Sequence, residues 1–175
     1  MLDDLLKKPD QQIMLFLIMT AGVLVLALGL EHIGGYLPCE LCLKERYAYY
    51  AGIVLAVAAS GAISAGRPGI AAALLGLAGL GMFANAGLGL YHAGIEWHWW
   101  AGPSTCTPSG PGLAATGSDL LQSLQNENVV RCDQPALKIF GLSLAAWNIP
   151  IDLALTVVAV RAIRLLMSPA AAAKA

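Results

Sequence analysis

From residue 13 to residue 30 the chain carries no charged side chain. At about 1.5 Å of rise per helical residue, that run comes close to crossing the hydrocarbon core of a bilayer. In lipid a backbone has to satisfy its own N–H and C=O groups, so a run of this kind commits the chain to helix. Three more apolar segments follow, at about 45–63, 70–91 and 145–166. Charged residues are 12% of the 175 and hydrophobic ones 58%, and a soluble domain carries roughly twice that share of charge. A net charge of −1 gives no bulk attraction to nucleic acid. The expected architecture is an all-α membrane protein, with residues 1–175 forming one integral membrane domain. It is a four-transmembrane-helix bundle with a long extracytoplasmic loop, 92–141, between helices 3 and 4.

Several local features refine this plan. Ala27-Leu28-Gly29 has the small residues of a signal-peptidase site, but signal cores usually run about 7–15 apolar residues, so a retained helix is the better reading. Gly76, Gly79, Gly81, Gly87 and Gly89 are spread through the third segment. No strand precedes them, so they read as a helix-packing surface and not as a phosphate loop. Asp152 interrupts the fourth segment, where a carboxylate deep in lipid costs about 2.5–3.5 kcal/mol; it is expected near the helix entrance or facing the bundle. Trp97, Trp99 and Trp100 suit an aromatic belt. Leu113, Leu120, Leu121 and Leu124 suggest a short interfacial helix within the loop.

Sidedness follows from the basic residues. Lys7, Lys8, Arg67, Arg161, Arg164 and Lys174 fall on one side of a four-span chain. Arg131 and Lys138 fall on the other, with Lys44 and Arg46 at a helix mouth. Cytoplasmic loops are the basic ones, which puts both termini in the cytoplasm and all four cysteines outside.

The chemistry centres on Pro38-Cys39-Glu40-Leu41-Cys42, followed by Lys44-Glu45-Arg46. Two thiols at this spacing close into an easily exchanged disulfide. A helix beginning at the second one would set its positive end against Cys42, with Arg46 one turn further along the same face. Zinc would need two more ligands, and Cys106 and Cys132 are distant in the chain. Covalent haem would need histidine where Leu43 stands, and a thioredoxin-like domain would need a strand before the motif. The motif therefore reads as a redox pair at the mouth of a membrane helix, with no metal. Two close and two distant cysteines fit paired disulfides in an oxidising compartment, and exchange between pairs makes a relay possible. Such a relay needs an electron sink. The chain has no dinucleotide fingerprint, no iron–sulfur ligand set and no histidine pair suited to haem. A lipid-soluble quinone asks least of this sequence, and Arg46 would stabilise the charge that develops on its oxygen.

These residues resemble the bacterial DsbB family of quinone-dependent thiol oxidases. The resemblance is carried by the four apolar spans, the Pro38-to-Cys42 motif with Glu45-Arg46, and Tyr91-His92 leading to Gly102-Pro103-Ser104-Thr105-Cys106. Cys132 and Gly141-Leu142-Ser143-Leu144-Ala145-Ala146-Trp147-Asn148 complete it. It implies a bacterial inner-membrane enzyme that reoxidises a DsbA-like periplasmic thiol oxidase. On this resemblance Cys106 pairs with Cys132 and takes the mixed disulfide with the partner. The loop thiols then reduce Cys39–Cys42, and Cys42 passes electrons to ubiquinone or menaquinone. Arg46 and His92 map to the quinone-binding positions. Two other readings use the same residues. A vitamin-K-epoxide-reductase-like protein would carry its reactive motif late in the chain, the reverse of the order here. A non-catalytic membrane assembly protein would use the disulfides only as braces.

Overall fold

The computed structural model describes residues 8–103 and 131–168. Four long helices account for most of them: α1 (Pro9–His32), α2 (Glu40–Ser64), α3 (Pro68–Glu96) and α4 (Leu144–Leu166). Helices α1, α2 and α3 are long and apolar enough to cross a membrane. Helix α4, of 23 residues, packs most extensively against α3, and α3 in turn against α2.

Short local signals set the helix ends. Pro9 and Pro68 occupy first turns, where a missing N–H costs no hydrogen bond. The side chains of Cys39 and Ser143 cap α2 and α4 by accepting backbone N–H groups. Phe140 and Gly141, both at positive φ, form the two-residue turn of a small hairpin, β1 (Lys138–Ile139) antiparallel to β2 (Leu142–Ser143). Trp147 Nε1 donates to the Ile139 carbonyl at 3.0 Å, which fastens this hairpin to the first turn of α4.

The sequence reading ends the third span at residue 91 and gives 92–141 to the loop. Helix α3 instead continues through His92 to Glu96, and the backbone leaves it at Trp97–His98, where His98 has φ 61°. The polar residue that suggested a loop is helical because it finds buried partners in the bundle. The hairpin likewise lies inside the stretch read as loop. Cys106 and the stretch 113–124 lie outside the described residues.

Packing follows the rule for helices in lipid, where close approach replaces hydrophobic exclusion of water. Buried alanines line the contacts (Ala56 and Ala59 on α2, Ala71 and Ala78 on α3, Ala159 and Ala162 on α4), with Phe16, Tyr49, Leu75, Met82 and Leu155 filling between them. Ile18, Val25, Val54, Leu80 and Phe83 point outward and are exposed. Of the five glycines expected to form a packing surface, Gly79 and Gly89 meet α4 closely, whereas Gly76, Gly81 and Gly87 face open space. A Cβ at Gly79 would lie 3.1 Å from that of Ala159. Gly79→Leu should therefore push α3 off α4 and cost about 1–3 kcal/mol in a detergent unfolding titration. Gly76→Leu should be near neutral, and equal losses at both positions would remove Gly79 from the interface.

Candidate active site

Cys39 is the N-cap of α2. Its sulfur accepts the backbone N–H of Cys42 at 3.2 Å, and its carbonyl accepts that of Leu43 at 3.1 Å. The positive end of the helix therefore points at Cys39, where the sequence reading had placed Cys42. The helix starts at Glu40 because the first cysteine of the motif, and not the second, supplies the cap. The two thiols are free, share a hydrogen bond at 2.9 Å, and differ in setting: Cys39 is buried and Cys42 half-buried. The hydrogen bond with Cys42, helped by the Cys42 backbone N–H, holds the Cys39 thiol below its ordinary range against the opposing effect of burial.

Behind Cys39 runs a buried polar chain. His92 Nε2 lies 3.5 Å from Cys39 Sγ, and His92 Nδ1 lies 2.9 Å from Glu45 Oε1. The other Glu45 oxygen accepts from Asn148 Nδ2, and Asn148 Oδ1 accepts from the Tyr49 hydroxyl at 3.0 Å. Buried charge and polarity persist only when partnered, and here helices α2, α3 and α4 each contribute members. Deeper still, Asn85 Nδ2 donates to Asp152 Oδ2 at 2.8 Å. Asp152 is fully buried, so of its two expected settings it takes the one facing the bundle.

Cys132 is also buried, packed with Cys39, Leu41 and Ile95, and it is disulfide-bonded. Its Sγ, Cys39 Sγ and a ring nitrogen of His92 all lie within 4.8 Å of one another. Arg131 and Asp133, an ion pair at 2.6 Å, bracket this cysteine in the chain, and the guanidinium holds the Asp133 carboxyl below the usual carboxylate range. Distance in sequence had counted against a zinc site at the motif, and folding brings Cys132 beside Cys39 all the same.

On the other side of Cys42 lies a cavity of about 260 Å³. Its walls are mostly apolar, with Leu24 and Ala27 from α1 and Ile151 from α4. Cys42, Glu45, Arg46, Tyr49 and Asn148 supply its polar groups. Such a cavity, apolar with a few convergent polar groups, is the usual form of a small-molecule site. Arg46 pairs with Glu31 at the end of α1 and reaches the Ala27 carbonyl at 3.5 Å. His92 is not on this wall. It borders a second cavity, of about 40 Å³, together with Cys39 and Cys42.

Sequence reasoning singled out Cys39, Cys42, Arg46, His92 and Cys132, and the structure gathers these five around the mouth of α2. It missed the working positions of Glu45, Tyr49, Asn148 and Glu31. Glu45 and Asn148 were visible as polar residues at the start of apolar helices, a setting that selects for buried partners. Tyr49 carried no such signal.

Comparison with curated proteins and with solved structures found no match. The family model described as "Disulfide bond formation protein DsbB" does match, over residues 9–162, a span that takes in all four helices and the entire site. The chain, whose described residues form a helical bundle with apolar helices long enough to span a membrane and a free Cys-x-x-Cys pair at a helix mouth, thus belongs to the DsbB family, and with it to disulfide-bond formation at a membrane.

Proposed function

We propose that the protein is a thiol oxidoreductase of the bacterial inner membrane that reoxidises a DsbA-like periplasmic dithiol oxidase and delivers the electrons to a quinone. The observation that carries this reading is the approach of Cys132 to Cys39 and His92, within 4.8 Å. It brings the loop disulfide and the helix-mouth pair into exchange range.

The relay runs by thiolate attack. One thiolate of the reduced partner opens the Cys106–Cys132 disulfide at Cys106, and the Cys132 thiolate leaves. Cys132 attacks Cys39 of the Cys39–Cys42 disulfide, releasing Cys42. The partner's second thiolate displaces Cys106, which then attacks Cys132 and frees Cys39. The net result is one disulfide gained by the partner and two electrons held on Cys39 and Cys42. Free thiols at Cys39 and Cys42 beside a disulfide-bonded Cys132 correspond to the centre after that transfer. His92 Nε2 is placed to take the Cys39 proton, and Glu45 on Nδ1 steadies the imidazolium so formed.

The larger cavity fits a quinone, with apolar walls for a ring and polar groups beside Cys42. When bound, ubiquinone or menaquinone supplies a two-electron, two-proton acceptor. Cys42, Arg46, Tyr49 and Asn148 would hold it. Arg46 has five N–H donors, and its bonds to Glu31 and Ala27 leave others for an oxygen in the cavity. His92 acts in this scheme on Cys39 and not on the cavity wall. In this reading both termini lie in the cytoplasm and both cysteine pairs face the periplasm, a sidedness that the distribution of basic residues supports.

The test uses purified protein, a reduced DsbA-like partner and a soluble quinone, with quinone absorbance and partner thiols followed together. Equal loss of partner dithiol and quinone is expected. Intact disulfides with no quinone-dependent thiol loss would leave only a bracing role for the cysteines.

A further inference from the structure

Three metal-ligating side chains converge at the mouth of α2, and a fourth, Cys42, adjoins one of them. Cys39 Sγ, Cys132 Sγ and a ring nitrogen of His92 all lie within 4.8 Å of one another, and all three residues are buried. The Cys42 sulfur is 2.9 Å from that of Cys39. Beside them is the cavity of about 40 Å³ that Cys39, Cys42 and His92 border, room enough for a water-sized occupant.

We propose that the fully reduced protein is a binding site for one thiophilic cation of the Zn²⁺ class, held by Cys39, Cys42, Cys132 and His92 Nε2. A tetrahedral Cys₃His set is a standard zinc environment, and Zn–S bonds of about 2.3 Å put neighbouring sulfurs about 3.8 Å apart. The Cys39–Cys42 separation of 2.9 Å and the 4.8 Å limit on Cys39, Cys132 and His92 lie on either side of that value, and Cys42 completes the shell by turning its side chain toward Cys132 and His92. Glu45 holds His92 Nδ1 at 2.9 Å, which turns Nε2 toward the sulfurs. A carboxylate behind a ligating histidine fixes its tautomer and raises its basicity. The N–H of Cys42 on Cys39 Sγ favours the thiolate that a metal requires. Cys132 is 1% exposed and packed against Cys39, Leu41 and Ile95, so opening its disulfide leaves the sulfur facing the same neighbours.

The site exists in one redox state only. A Cys39–Cys42 disulfide removes two donors, and the disulfide at Cys132 removes a third. Reduction of each disulfide by two electrons and two protons, from a dithiol that is itself oxidised to a disulfide or from a phosphine, supplies the thiols, and the cation then displaces the thiol protons. Bound thiolates cannot close into disulfides, so the cation holds the protein reduced. This inference does not depend on which acceptor takes the electrons.

Cobalt(II) is the probe, because tetrahedral thiolate coordination gives intense d–d and sulfur-to-metal absorption. Purified full-length protein reduced with a phosphine should bind one Co²⁺ with these bands, and Zn²⁺ should displace it. Protein with its disulfides closed should show none. Cys132→Ser and His92→Ala should each weaken binding at least tenfold, with helical circular dichroism reporting that the fold is kept. Reduced wild-type protein without tetrahedral bands would overturn the proposal. So would bands unchanged by Cys132→Ser, which would assign the metal to the Cys-x-x-Cys pair alone.

Discussion

Cys42→Ser is expected to stop quinone-dependent turnover, with a loss of more than about a thousandfold, as when the reacting atom of a covalent mechanism is removed. It should also trap a Cys39–Cys132 disulfide. Cys39 is the member of the pair that lies beside Cys132, whereas Cys42 faces the larger cavity. Without the Cys42 sulfur no Cys39–Cys42 disulfide exists, so the bridge forms by attack of the Cys39 thiolate on Cys132 of the loop disulfide, with Cys106 as the leaving thiolate and no net oxidation. Non-reducing peptide mapping after acid quench of the oxidised variant reads this directly. Cys39→Ser should give no corresponding Cys42–Cys132 species. If Cys39→Ser trapped such a bridge and Cys42→Ser did not, the order of the two sulfurs in the relay would be reversed.

Arg46→Ala should lower turnover at limiting quinone by about a hundredfold, the scale seen when one preorganised donor to a developing oxyanion is lost. Mixed-disulfide formation with the reduced partner should persist, because among the described residues Arg46 bonds to Glu31 and Ala27 and not to Cys132. Arg46→Lys should fall between, keeping the charge but losing the planar fork. Glu31 complicates the comparison, since removing Arg46 leaves that carboxylate unpaired at the end of α1. The double variant Glu31→Gln/Arg46→Ala separates the two effects. Recovery of quinone turnover in the double variant would make Arg46 a brace between α1 and α2, with no direct part in the quinone step.

The helices were legible because uncharged runs longer than a soluble helix needs have one solution in lipid. Their ends were less so: His92 looked like the start of a loop until Glu45 and Cys39 appeared beside it. The redox motif was legible from its spacing, yet which sulfur receives the helix N-terminus was not. A cap is decided by backbone angles at one residue, and Pro38-Cys39 allowed a start at either cysteine. Convergence of Cys132 on Cys39 was implied by the family resemblance but could not be read from spacing, because residue separation along the chain places no limit on distance across a bundle. The same holds for Asn148 and Glu45, partners 103 positions apart.

The Asn85–Asp152 contact bears on how the chain enters the membrane. An isolated α4 would have to carry Asp152 into hydrocarbon at a cost of about 2.5–3.5 kcal/mol, and that cost falls when neighbouring helices supply polar partners, among them Asn85 of α3, which donates a hydrogen bond. Apolar helix faces slide past one another in lipid with little preference, but a polar pair is satisfied at a single offset. Docking of the last helix on its predecessor thereby fixes a register, and that register also sets Asn148, one turn before Asp152, against Glu45 of α2. A lesion at Asp152 is therefore expected to surface as failed assembly of α3 with α4 well before it reaches the sulfurs at the mouth of α2.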